Sequence, residues 1–218
     1  MTLDFSVVLK QWPLLLDGML LTIFLTLFSA VIGTLLGIGC GLVRSKGPTW
    51  ARWCVGAYVE LIRNTPFIIQ LFFIFFGLPG LGLKMTALTA AIVANVINLA
   101  AYVSEIARSG IEATPDGQIE AAQSLALDRW QIFTRVVLPP ALKRVWPTLV
   151  GQMVIIMLGS AVCSQISTEE LTYAANQIAS NSFRNFETYI VVAGLYLLLA
   201  VALRRLLNWV GPRFIFGR

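Results

Sequence analysis

The chain contains no histidine. That excludes a histidine-ligated metal centre, and it leaves any hydroxyl or thiol nucleophile without an imidazole base. None of Lys10, Lys46, Lys84 or Lys143 is followed by serine or threonine, so the lysine–hydroxyl pair of a phosphate-binding loop is missing. Glu60, Glu105 and Glu112 form no evident acid/base pair. The cysteines Cys40, Cys54 and Cys163 are odd in number and lie in or beside apolar runs, which argues against a disulfide framework. Charged residues make up only 12% of the chain, against roughly a quarter in a soluble domain. No linker, internal repeat or low-complexity tract interrupts it. These absences leave little room for a soluble enzyme and point to a membrane protein.

What is present agrees with that. Of 218 residues, 57% are hydrophobic, and long uncharged runs cover 18–43, 64–83, 85–104, 145–168 and 188–203. A crossing needs about 20 residues, each rising about 1.5 Å, through about 30 Å of hydrocarbon. Arg204 and Arg205 can snorkel and extend the last run to about Trp209, and the second run opens near Trp53. The expectation is a single all-α integral membrane domain over 1–218. Its five spans lie at about 14–43, 53–76, 86–107, 147–166 and 188–209, with a loop at about 112–146 outside the bilayer. The first run is too long for a signal-peptide core and no short basic segment precedes it, so it reads as a retained span.

The formal net charge is +5, and its distribution decides what it means. Twelve cations follow span one, flank the 112–146 loop or follow span five, whereas the opposite side carries only Lys10, Lys84 and Arg184. By the positive-inside rule the N-terminus lies outside, and the long loop and the C-terminus lie in the cytoplasm. The basic excess reports topology, and no nucleic-acid partner is expected.

The 112–146 loop does not read as a loop. Thr114-Pro115 is a helix start, a hydroxyl cap followed by proline at the first helical position. Ile119, Ala122, Leu125 and Ala126 recur at helical spacing on one face. Asp128 with Gln131 three residues on forms a capping box for a second helix, which Pro139-Pro140 is expected to stop. Two short helices with small and apolar faces stand outside the bilayer, which is what a docking surface requires.

Glu120-Ala121-Ala122, followed at the expected distance by Leu138-Pro139, resembles the EAA loop of ABC importer membrane subunits. The sequence from Tyr58 to Pro66 (YVELIRNTP) resembles the second-helix signature of the polar-amino-acid permease family, and that from Ala101 to Ile111 (AYVSEIARSGI) resembles the end of its third helix. The resemblance covers nearly the whole chain and implies a type I ABC importer fold. Ala126 stands where the loop usually has glycine, Val136 where it often has isoleucine, and Gly159 where many members carry a charged residue.

The resemblance also implies partners. Two such permease subunits, the same chain or a sister chain, would form the pathway. A dimer of cytoplasmic ATP-binding subunits would hold ATP and Mg²⁺, no cofactor being bound by this chain, and an external or periplasmic solute-binding protein would deliver a polar amino acid. Glu120, Ala121, Ala122, Leu125 and Ala126 would dock the ATPase, whose closure would push on this helix and rock the spans between outward- and inward-facing states. The location implied is the bacterial inner membrane.

Polar residues inside the spans are the pathway candidates, each with a second reading. Glu60, Arg63 and Gln70 fall on one stripe of span two; Glu60 and Arg63 are either an interfacial ion pair or a gate, and Asn64-Thr65-Pro66 should kink the helix. Asn95, Asn98, Tyr102 and Glu105 share an arc of span three, where asparagine is either interhelical glue or a ligand for a zwitterion. Ser160 and Ser164 in span four either bond back to their own helix or face substrate. Gly33 and Gly37 in span one give a small-xxx-small pattern for close helix approach. The outer segment 167–187, with a short amphipathic helix near Leu171 to Ile178, faces a binding protein or forms a lid. A secondary transporter would need ion-coupling charges that 85–104 and 145–168 lack, and a scaffold or assembly subunit is the remaining alternative.

Overall fold

The computed structural model describes residues 3–215, whose regular structure is helical, with no strand among them. In chain order the helices are α1 (Ser6–Lys10), α2 (Trp12–Lys46), α3 (Thr49–Arg63), α4 (Phe67–Leu81), α5 (Ala87–Glu112), α6 (Asp116–Ser124), α7 (Arg129–Ile166), α8 (Leu171–Ser182) and α9 (Asn185–Arg213). Helices α2, α5, α7 and α9 are each long and apolar enough to cross a bilayer. A fifth crossing requires α3 and α4 together, and these are bent by 109° at their junction.

The bundle is built on α2 against α5. A methyl group added at Gly37 would lie 2.5 Å from Val103 Cβ, and one at Gly41 would lie 2.8 Å from the Ser104 carbonyl. Only residues without a side chain allow the two backbones to come this close. The small-residue pattern read at Gly33 and Gly37 thus extends to Gly41. Helix α7 then covers α5, burying Val145, Leu149 and Ile156 with Leu99 and Val103.

Three local expectations from the sequence change. The Asn64-Thr65-Pro66 step is a break, not a kink. Three residues leave helical geometry, and the carbonyls this frees are taken by side chains: Thr65 Oγ1 donates to Leu61 O at 2.8 Å and Gln70 Nε2 to Ile62 O at 2.7 Å. Thr114 does not cap α6. Its N–H donates to Ile111 O at the end of α5, and Pro115, in extended conformation, is the cap residue. Pro139-Pro140 does not stop the helix that begins at Arg129. The chain winds as a π-helix over Ile132–Val137, which places both prolines in the first turn of a fresh α-segment, where a missing N–H removes no bond.

Helix α8 is packed into the bundle. Leu171, Ala174, Ala175 and Ile178 are buried in one cluster with Val8, Leu15, Val192 and Leu199. Its cap, Glu170, is fully buried: the carboxylate accepts from Tyr173 N at 2.9 Å and from Tyr196 Oη at 2.6 Å. Burial pushes this carboxyl above its ordinary value, against the lowering effect of these bonds.

Candidate functional site

The two-helix unit of α6 and the start of α7 is closed by side chains that the sequence places well. Asp128 accepts from Trp130 N and Gln131 N at 2.8 and 2.9 Å, and Gln131 Oε1 accepts from Asp128 N at 3.0 Å, completing the expected capping box. Helix α6 ends in a Schellman motif: Leu127 N donates to Ala122 O and Ala126 N to Gln123 O. The motif requires a left-handed residue at its C′ position, and Ala126 occupies it with φ +58°. A glycine would adopt this conformation without strain.

The candidate docking residues do not share one face. Glu120, Ala121 and Ala126 are exposed and Leu125 is 76% exposed, but Ala122 is only 4% exposed. Ala122 is packed inside its own chain with Ile111, Ile132 and Val137, and half-buried Ile119 lines the same cluster. The expected face through Ile119, Ala122, Leu125 and Ala126 therefore splits. Its first half faces inward, and the turn after Ser124 carries Leu125 and Ala126 off it. Ala122 is thus a contact that clamps α6 to α7 within this chain. Sequence reasoning passed over Trp130, which is 72% exposed. Its signal was a lone tryptophan beside a capping box in an otherwise polar stretch.

The pathway candidates form two groups. In the first, Glu60 and Arg63 do not pair. Glu60 is exposed and accepts from Asn64 Nδ2 at 2.9 Å. The Arg63 guanidinium lies 5.6 Å from the Tyr102 ring centroid and 3.7 Å from Glu105. Glu105 is a hub that also accepts from Arg44 and Arg108, and Arg108 further pairs with Glu112. This ties α2, α3 and α5 together at the end of the bundle nearest α6.

The second group is buried glue. Gln70 Nε2 donates to Ile62 O at 2.7 Å and Thr65 O at 3.0 Å across the α3–α4 break, and its Oε1 accepts from Asn98 Nδ2 at 3.0 Å. Asn95 Nδ2 donates to Ala91 O at 2.9 Å and faces Cys163 Sγ at 3.6 Å. Ser160 and Ser164 bond back to Met157 O and Ala161 O. In this conformation the asparagines and serines hold helices, whereas Arg63 and Tyr102 are partly open to solvent. An apolar cavity of about 30 Å³, lined by Ile38, Leu42, Val103, Phe133 and Leu149, lies between α2, α5 and α7.

The architecture thus defines a multi-pass helical membrane subunit that presents a clamped two-helix unit beyond its long apolar helices. The chain belongs to the family described as the inner membrane component of binding-protein-dependent transport systems, which matches residues 33–216. It is 34% identical over 204 residues to the arginine transport system permease protein ArtQ of Bacillus subtilis, covering 93% of each chain. It is 32% identical over 210 residues to the glutamine transport system permease protein GlnP of Escherichia coli K12, covering 95% of this chain and 96% of that one. Among solved structures, an amino acid ABC transporter crystallised with histidines superposes with a TM-score of 0.88 at 35% identity, over 96% of this chain and 98% of that one. The inward-facing MetNI methionine ABC transporter superposes with a TM-score of 0.73 at 24% identity, over 92% and 98%, and supports the fold alone. The fold is that of a type I ABC importer permease, the chain is a multi-pass inner-membrane protein, and ATP hydrolysis in such systems belongs to a separate subunit.

Proposed function

We propose that this chain is the permease subunit of an ATP-driven importer that carries a polar amino acid across the inner membrane. The observation that carries the reading is the near full-length similarity to amino-acid permeases, including ArtQ and GlnP. The α6–α7 unit, clamped through Ala122 and presenting Leu125 outward, supports a coupling role for that unit. The N-terminus lies outside and the α6 end and the C-terminus lie in the cytoplasm, as the distribution of twelve cations against three supports. Two permease subunits, of this chain or of this chain with a sister, enclose the pathway. A cytoplasmic pair of ATP-binding subunits holds ATP and Mg²⁺, and an external binding protein delivers the solute.

The chain's own residues do mechanical work. The docked ATPase grips Glu120, Ala121, Leu125 and Ala126, and movement of α6 is passed to α7 through the Ala122 cluster and to α5 through Ile111. At the same end of the bundle, Arg63 over Tyr102, shared with Glu105, is placed to meet a carboxylate on its way in. Gln70 and Asn98 hold the α3–α4 break that positions Arg63. The test is purification of the intact complex, identification of its subunits, and ATPase assays with a panel of amino acids. Hydrolysis stimulated by a polar amino acid together with its binding protein is expected. A complex without an ATP-binding subunit would refute the reading.

A further inference from the structure

Two large apolar side chains are exposed in the whole stretch between Leu88 and Ile155, namely Leu125 and Trp130. They flank the turn that joins α6 to α7. The backbone at Trp130 is fixed: its main-chain N–H donates to the Asp128 carboxylate at 2.8 Å and its main-chain carbonyl accepts from Thr134 Oγ1 at 2.7 Å, while its ring lies 6.3 Å from that of half-buried Phe133. An aromatic ring 72% open to solvent is not filling this chain's core.

An exposed tryptophan in a membrane protein has an ordinary role as an anchor among lipid headgroups. The length of α7 places Trp130 elsewhere. The helix has 38 residues, about 57 Å at the usual rise, against a hydrocarbon core of about 30 Å. With Ile166 at the outer boundary, the hydrocarbon ends near Pro147, and Lys143 and Arg144 meet the headgroups. Trp130 lies 17 positions further on by sequence numbering, about 25 Å beyond the hydrocarbon edge, whereas the headgroup layer adds only about 5–8 Å.

We infer that Trp130, with Leu125 beside it, is the apolar anchor by which this permease binds its ATP-binding subunit, seated in an apolar pocket of that protein. The inference rests on the proposed docking role of the α6–α7 unit and moves its centre from the alanines of Glu120-Ala121-Ala122 to the turn that follows them. Tryptophan in a desolvated pocket is the side chain that most often dominates a protein interface. Ala121, Leu125 and Ala126, just before Trp130 in the chain, are exposed as well.

The experiment uses the purified full complex of this chain with its cognate ATP-binding subunit, in lipid nanodiscs. It compares wild type with Trp130→Ala, Trp130→Phe and Leu125→Ala for ATPase-subunit affinity and substrate-stimulated hydrolysis. Trp130→Ala is expected to weaken binding on the order of thirtyfold or more, and Trp130→Phe to restore most of it. Amide exchange in α6 of the permease alone should be unchanged, which separates lost docking from lost folding. If wild type holds the ATPase and Trp130→Ala holds it equally well, the inference fails while the docking reading stands. Quenching of Trp130 by brominated lipid, with ATPase affinity unchanged, would overturn it in favour of a membrane anchor. If wild type itself binds no ATPase, both fall together.

Discussion

Adjacent alanines on α6 should respond in opposite ways to enlargement. Ala122 is 4% exposed and closed in by Ile111, Ile132 and Val137 of its own chain, whereas Ala121 is exposed. Ala122→Leu adds three carbons to a filled cluster, and overpacking of this kind costs roughly 1–3 kcal/mol. That energy acts on the opening of α6 from α7, so amides of α6 should exchange about five- to 150-fold faster in the isolated permease subunit. Ala121 faces solvent, so Ala121→Trp should leave exchange unchanged, yet it should weaken ATPase docking by about tenfold or more through a clash across the interface. The assay is hydrogen exchange on the subunit alone, paired with affinity for the ATPase. Ala122→Leu with unchanged exchange and lost ATPase would refute the reasoning, because Ala122 would then be a contact between chains.

Three further outcomes follow from particular geometries. Ala126→Gly relieves a left-handed backbone at φ +58°; after the added entropy of the unfolded chain it should stabilise α6 by up to about 1 kcal/mol, read as slower amide exchange, and a faster rate would contradict the Schellman assignment. Gln70→Leu leaves the Ile62 and Thr65 carbonyls and the Asn98 amide without this partner and should cost about 1–3 kcal/mol, seen as a lower melting temperature in detergent, whereas an unchanged temperature would remove Gln70 from the α3–α4 junction. Burial raises the Glu170 carboxyl in the folded protein, so the folded state binds a proton more tightly than the unfolded one. Stability from this group is therefore fully present below the unfolded carboxyl's value and falls as pH rises through the raised one. Glu170→Gln should flatten the fall in melting temperature as pH rises above the ordinary carboxylate range, and parallel wild-type and variant curves would contradict this.

Features governed by local chemistry were legible in the sequence. The apolar runs, the Asp128–Gln131 capping box and the Gly33/Gly37 contact each depend on residues close together or on length, and each appears in the structure. What needed the fold was orientation. The sequence put Ile119 and Ala122 on one helical face, but whether that face turned inward depended on Ile111 from α5 and on Ile132 and Val137 from α7. The 109° break at Asn64-Thr65-Pro66 exceeds a proline kink because Thr65 and Gln70 together accommodate the Leu61 and Ile62 carbonyls it frees. Glu170 looked like part of a polar outer segment, since its hydroxyl partner Tyr196 lies 26 residues away. The pair Glu60–Arg63 had the right spacing, yet Arg63 found a stronger environment across the helix interface, over Tyr102 and near Glu105.

The central claim is that ATP bound by a partner on the α6 side drives a polar amino acid through this chain. The direct measurement is uptake of labelled glutamine and arginine into proteoliposomes holding the complete complex, with the binding protein outside and ATP sealed inside. The account predicts uptake of at least one of them against its gradient, abolished when ATP is omitted or when Ala121→Trp is introduced. Uptake driven by an ion gradient without ATP, or equal uptake by the Ala121→Trp complex, would contradict it.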